Sequence, residues 1–191
     1  MESRLHESES KRFKFIFPYY NVLVISSIGR AGGLLLFWKK ECDLTIQNFS
    51  SNHIDFVVKE ENGNLWRGTG IYGWPMQHEK YRTWGLLRSL KTNQRRPWVC
   101  FGDFNEALYA FEKAGRRGCN NSQMEAFREA CNFCNLNDMS ASGVKFTWNN
   151  GRRGTANVKK RLDRFLTNAD WLNMFPGASF HNLARVASSQ L

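Results

Sequence analysis

No GxSxG segment occurs in the 191 residues, and His6, His53, His78 and His181 have no convincing Ser or Cys partner, so nucleophilic acyl transfer is disfavoured. A GxxxxGK[ST] loop is also absent, which removes the P-loop NTPases. No apolar run approaches the ~20 residues that a membrane-spanning helix needs, so no membrane partner is expected. Cysteines number five. That odd count, with no secretory leader, points to a reducing compartment, nuclear or cytoplasmic and not secreted. Cys131 and Cys134 have CxxC spacing inside a helical pattern, but no second Cys or His pair stands at zinc-site spacing. They read as core residues. Without repeats, low-complexity tracts or a linker, the chain reads as a single domain over 1–191 with no obligate protein partner.

What is present is a core and a surplus of positive charge. Hydrophobic residues make up 42% and aromatics 14%, enough to exclude disorder. Lys plus Arg total 27 against 17 Asp plus Glu, a net charge of +10. Such a surplus favours a polyanionic partner, usually nucleic acid, although it also serves solubility.

The octet Trp98 to Asn105 carries the main chemical signal. An apolar run ends in Gly102, and Asp103 and Asn105 follow two residues apart, on one side of an extended segment. Gly102 lets the backbone approach whatever those two groups hold. A carboxylate and an amide at a strand end suit a divalent cation and an oxyanion. A strand followed by an Asx-type turn explains the same residues.

Around this octet the pattern is antiparallel strands followed by helices. A short helix is expected within 7–16, strands at 21–26 and 34–38, a glycine-rich turn between them, and further strands at 42–50, 54–58 and 66–72. Asn62-Gly63 marks a hairpin. A first helix is predicted over 77–91, with Tyr81, Trp84, Leu87 and Leu90 on its buried face. Residues 107–121 lack periodicity and read as an exposed loop. A second helix is predicted with Ser122 as N-cap and Glu125 completing a capping box. Met124, Phe127, Ala130, Cys131 and Cys134 form its stripe. Short strands follow at 136–139 and 146–148, then a basic turn at 151–154. Residues 159–166 read as one strand with charges along one side.

Glu2, Tyr72, Asp103, Asn105 and Asp163 each lie near the end of an apolar segment, where an α/β sheet presents its site. Phosphodiester hydrolysis needs a Mg²⁺ on one or two carboxylates, a base for water, and donors for the phosphoryl oxygens. These residues with surrounding Arg and Lys match that list. Each also has a plainer reading: Tyr72 as a core aromatic, Asp163 as a surface ion pair with Arg161 or Arg164, Glu2 as a solvated charge, and Trp148 as core. The Arg152–Lys160 cluster reads as a solvated face or as a contact to backbone phosphates.

Taken together, six segments in order resemble the endonuclease/exonuclease/phosphatase superfamily, and within it the endonuclease domain of plant LINE-type (non-LTR) retrotransposons. They are Met1 to Leu5, Gly29 to Leu34, Tyr72-Gly73 with Pro75, Gly102 to Glu106, Phe146 to Asn149, and Arg161 to Leu166. The resemblance implies a DNase I-like α/β (α+β) fold, a four-layer sandwich of two mostly antiparallel sheets packed face to face with helices outside. It implies a DNA-nicking phosphodiesterase using Mg²⁺ or Mn²⁺, with DNA bound through its phosphate backbone. Glu2 would ligate the metal, Tyr72 contact the scissile phosphate, Asp103 act on water or leaving group, and Asn105 hold phosphate and water. Asp163 would orient a catalytic histidine. Trp148, Arg152, Arg153, Lys159, Lys160, Arg161, Arg116 and Arg117 would line the DNA groove.

Two departures from the family pattern are expected to matter. The family carries an Asn-bearing strand before the first of these segments and a Ser-Asp-His motif at the end. This chain reads Ala187-Ser188-Ser189-Gln190-Leu191 there, and His181 is too early to be the family's histidine. The sequence-based expectation is a domain incomplete at both ends, with exposed sheet edges and impaired activity. A non-catalytic nucleic-acid-binding remnant and a phosphomonoesterase or phosphoinositide phosphatase on the same fold are the alternatives.

Overall fold

A computed structural model describes residues 10–26, 33–92, 96–115, 118 and 120–183. In chain order the elements are α1 (Ser10–Ile16), β1 (Tyr20–Ile25), β2 (Leu34–Lys39), β3 (Asp43–Ser50), β4 (His53–Lys59), β5 (Leu65–Tyr72), α2 (Tyr81–Leu90), β6 (Trp98–Asp103) and β7 (Lys113–Ala114). Then come α3 (Asn121–Phe133), β8 (Asn137–Asp138), β9 (Ala141–Gly143), β10 (Trp148–Asn149), β11 (Lys159–Lys160), β12 (Asp163–Thr167), α4 (Ala169–Met174) and β13 (Phe180–Asn182). The architecture is mixed α/β, as the residue pattern led one to expect.

A six-stranded sheet in the order β3-β4-β5-β6-β12-β8 organises the molecule. Its one parallel pair is β5 and β6, joined through α2; the other neighbours are antiparallel. Residues 53–58 of β4 are buried on both faces, so the sheet lies between two layers. On one side α2 and α3 bury Trp84, Leu87 and Phe127 against Ile71, Cys100 and Leu166. On the other side the β1–β2 hairpin sets Leu34 against Ile54, Phe56 and Tyr72. The β9–β13 pair covers the same side, with the Phe180 ring 4.5 Å from Phe165. The Asn62-Gly63 hairpin forms as expected, with Gly63 at φ +83°. Among the described residues no helix is long and apolar enough to cross a membrane.

Several expected details differ, each for a physical reason. The first helix is shorter: a 3₁₀ turn spans Gln77–Glu79 and α2 begins at Tyr81, which is 64% exposed. Each three-residue step turns about 60° short of a full revolution, so over nine residues the stripe crosses to the far face. In α3 the N-cap is Asn120, whose Oδ1 accepts the Gln123 N–H at 3.2 Å, and Ser122 lies inside the first turn. The buried stripe of α3 is as expected, and the Cys134 thiol donates to the Leu87 carbonyl.

The larger corrections concern 107–121 and 159–166. Ala107, Leu108 and Glu112 are buried, not exposed. The segment 159–166 is two strands in different sheets. β11 belongs to a three-stranded sheet β10-β11-β7, while β12 joins the six-stranded one. At the break Thr147 Oγ1 accepts the N–H groups of Leu162 and Asp163 at 3.0 and 3.1 Å, using both hydroxyl lone pairs. Two charges on this segment, Arg161 and Arg164, point inward. Arg164, wholly buried, donates to both Glu112 carboxylate oxygens, at 2.9 and 2.5 Å. Arg161 donates to Glu112 at 2.9 Å and to Asp138 at 2.6 and 3.0 Å.

Burial by itself pushes the Glu112 carboxyl up. The Arg164 guanidinium and the Leu108 and Tyr109 amides outweigh it and hold the group below its ordinary 4.5. Asp138 goes the other way, because burial outweighs Arg164 and Arg161. Glu112→Ala leaves two interior guanidiniums to share the single carboxylate of Asp138 and is expected to cost about 3–5 kcal/mol by urea denaturation.

A second titration sits in β4. Burial lowers His53 from its ordinary 6.5, with the Arg67 charge adding and Asp55 opposing. A depressed histidine contributes stability that is full above 6.5 and is lost as pH falls toward its folded value. Thermal melts across pH should show stability declining below about 6.5. His53→Gln should remove that decline down to the carboxylate range.

Candidate active site

The parallel β5–β6 pair and the antiparallel β6–β12 pair put Tyr72, Asp103 and Asp163 in one row. Tyr72 is the register partner of Asp103, and Asp103 that of Asp163. Register partners share a sheet face. Tyr72 belongs to the cluster facing the β1–β2 hairpin, so the two carboxylates lie on that face too, at the rim between the layers. Asn52, in the β3–β4 turn, extends the row: its Nδ2 donates to the Tyr72 carbonyl at 2.7 Å, and its carbonyl accepts the Tyr72 N–H at 2.9 Å.

Asn105 completes the group by a turn of the backbone. Its φ is +54°, and its N–H donates to the Asp103 carboxylate at 2.7 Å. The Asx-type turn is therefore present, and it serves to aim both side chains. Asn105 Nδ2 donates to the Gly73 carbonyl at 2.7 Å, and the Gly73 N–H donates to the Asp103 carbonyl at 2.7 Å. This lacing requires close backbones. A Cβ on Gly73 would sit 2.3 Å from the Phe104 carbonyl oxygen, and one on Gly102 (φ +130°) 2.2 Å from that of Ile71.

Two site-supporting residues carried no sequence signal of their role. Lys80, 6% exposed, donates to the Asn105 carbonyl and to Glu106 at 2.8 Å, fixing the loop from behind. Asn52 is a turn residue whose reach to Tyr72 depends on strand pairing alone.

The donors at this rim are oxygens from two carboxylates, an amide and a phenol, a hard set that fits Mg²⁺ or Mn²⁺ and not zinc. Among the described residues no group of three His, Cys, Asp or Glu side chains clusters as a metal site. Two carboxylates are enough for a Mg²⁺ that keeps water and phosphate in its remaining positions. Glu2, the expected ligand, and Arg116 and Arg117 lie outside the described residues, as do 1–5, most of 29–34 and the C-terminal segment. The buried Cys131 thiol, pushed up to about 12 by desolvation, is no thiolate ligand.

Asp163 does not pair with its basic neighbours, whose guanidiniums turn to Glu112 and Asp138. Arg161 accordingly leaves the set expected to line a DNA groove. Of the described residues of that set, Trp148, Arg152 and Lys160 come together. Lys113, Trp148, Asn150, Arg152 and Lys160 line a groove on the β10-β11-β7 sheet. The Lys160 ammonium lies 6.0 Å from the Trp148 ring centre, and Trp148 is 38% exposed. Asn149, Asn150 and Asn157 pin the basic turn: Asn150 Oδ1 accepts from Arg152 and Val158 N–H, and Asn157 Nδ2 donates to the Arg152 carbonyl. Arg153 and Lys159 are exposed.

The sequence profile of the Endonuclease/Exonuclease/phosphatase family matches residues 3–183. The chain belongs to this family. Among solved structures, the endonuclease domain of TRAS1, a telomere-specific non-LTR retrotransposon, aligns at 12% identity with a TM-score of 0.64, over 83% of this chain and 71% of that one. A beta toxin from Staphylococcus aureus aligns at 13% identity and TM-score 0.55, over 88% and 71%. TDP2 from C. elegans aligns at 13% and 0.51, over 86% of this chain and 52% of its own. At such identities the likeness is one of fold. Comparison with curated protein sequences gives no match. This family member thus presents, at the rim of its central sheet, the carboxylate and amide that the octet pointed to, with Asp163 beside them.

The rim makes a local prediction. Asn105→Ala places a Cβ-bearing residue without its amide at positive φ and should cost about 2–3 kcal/mol, the left-handed penalty plus one lost hydrogen bond. Asn105→Gly should cost less, because only the hydrogen bond is lost. Urea denaturation of the two variants checks the order.

Proposed function

We propose that the chain is a divalent-metal-dependent phosphodiesterase domain acting on DNA, of the type carried by non-LTR retrotransposons, on a four-layer version of the α/β sandwich. The reading places it inside the cell. The observation that carries it is the register row of Tyr72, Asp103 and Asp163, with Asn105 hooked beside it. The identity of the bound polymer rests on the net charge of +10 and on the basic, aromatic groove three residues upstream of Asp163.

In this reading Tyr72 and Asn105 hold the scissile phosphate against the rim, and Asp103 takes a proton from water or helps the leaving oxygen depart. Asp163 adds negative charge at the rim beside Asp103. Asp103 and Asp163, with Glu2, would hold Mg²⁺ or Mn²⁺, which supplies charge neutralisation at the phosphoryl oxygens. The groove residues position the strand through phosphate contacts, which fix register without reading sequence.

A non-catalytic nucleic-acid-binding role is the second reading. It is favoured by the groove being pinned by Asn149, Asn150 and Asn157, independently of the rim carboxylates.

Supercoiled plasmid separates the two. The phosphodiesterase reading expects nicking in Mg²⁺ that stops with EDTA and with Asp103→Ala, while DNA binding persists. Binding that is salt-sensitive, with no nicking in either metal, supports the second reading. In both, Arg152→Ala should weaken binding to all sequences alike and lower the salt slope by about 1.

A further inference from the structure

Tyr109 and Phe111 are large aromatic side chains that the fold holds outward. They are 45% and 65% exposed, with ring centres 5.3 Å apart and planes 6° from parallel. Each ring has a cation near it: the Arg128 guanidinium 5.7 Å from Tyr109 and the Lys145 ammonium 5.8 Å from Phe111. Between them the backbone is fixed from below. Glu112, wholly buried, accepts the N–H groups of Leu108 and Tyr109 at 2.7 and 3.1 Å. Arg128 donates to the Leu108 carbonyl at 2.5 Å. A loop this firmly anchored has no folding need to keep two rings in water.

The position of the pair says what it is next to. Glu112 is bonded by Arg161 and Arg164, the residues two before and one after Asp163, and its carbonyl accepts the Arg161 N–H at 2.9 Å. The next residue, Lys113, is the register partner of Lys160 in the groove sheet. The loop that carries the rings is therefore tied to the segment that carries Asp163 and leads directly into the groove sheet.

Flat rings flanked by cations on a basic protein match a flat, electron-rich ligand attached to phosphates, which is an unstacked nucleobase. We infer that Tyr109 and Phe111 form a stacking platform for an unpaired base beside the phosphate held at the rim, so that the chain prefers DNA with an unpaired or single-stranded nucleotide over a fully paired duplex. The inference rests on the DNA-phosphodiesterase reading for its ligand. It does not depend on turnover.

The test is binding in EDTA, read by fluorescence anisotropy, on a labelled paired duplex and on the same duplex with one unpaired base. Wild type should bind the second more tightly. Tyr109→Ala with Phe111→Ala should remove that advantage, a loss on the order of tenfold, and leave paired-duplex binding unchanged. Tyr109→Phe should keep it. A 2-aminopurine at the unpaired position should be quenched by wild type and not by the double variant. Equal affinity of wild type for the two duplexes, or equal loss on both in the double variant, overturns the platform. Nicking of plasmid by wild type with either result would leave the phosphodiesterase reading standing, and its absence with a preserved preference would remove that reading alone.

Discussion

A carboxylate shut away from water needs cations around it, and Glu112 has two. Arg164 meets both of its oxygens and Arg161 one, with Asp138 closing the set on the far side. The cluster joins three parts of the chain far apart in sequence: the segment that follows Asn105, the β8 strand, and the segment from β11 to β12 that carries Asp163. Because Arg161 and Arg164 flank Asp163 and point inward, the Asp163 backbone is held while its carboxylate is left to the rim. The buried cluster therefore acts through geometry. It fixes one side of the row Tyr72–Asp103–Asp163, while Lys80 with Glu106 and the Gly73–Asn105 lacing fix the other.

Such an arrangement keeps rigidity and chemistry apart. Glu112, Arg164 and Lys80 are desolvated and serve to position others, while Asn105, at positive φ, both laces the loop and faces the rim. Groups that would meet a phosphate are carried at strand ends. The turn beside the basic groove is likewise pinned by asparagines. Burying ionic groups is costly unless each is paired, and here the pairing spans sequence separations of about fifty residues.

Much of this was legible in the residues because it is local. Alternation and an Asn-Gly turn located the strands, and the Gly102–Asn105 octet showed where a sheet would end in a carboxylate and an amide. What escaped was non-local. Nothing near Glu112 announces a partner at 164, so an unperiodic segment read as exposed loop. Lys159 to Leu166 has the pattern of one strand, and only the Thr147 hydroxyl, arriving from just before the partner strand β10, shows why it breaks. The stripe through Tyr81 failed for a simpler reason: three-residue steps drift around a helix of 3.6 residues per turn. Arg161 looked like a groove residue because its charge is visible in sequence and its burial is not.

The central claim is that the row at the ends of β5, β6 and β12 is the cation and phosphate site. Titration of the isotopically labelled chain with Mn²⁺, read by paramagnetic broadening of backbone amide signals, tests it directly. Broadening that starts at residues 72–73, 103–105 and 163, and that weakens in Asp103→Asn, is the predicted result. Broadening centred elsewhere, such as in the cavity that Asp55 and Asp170 line, or none at all, would contradict the account.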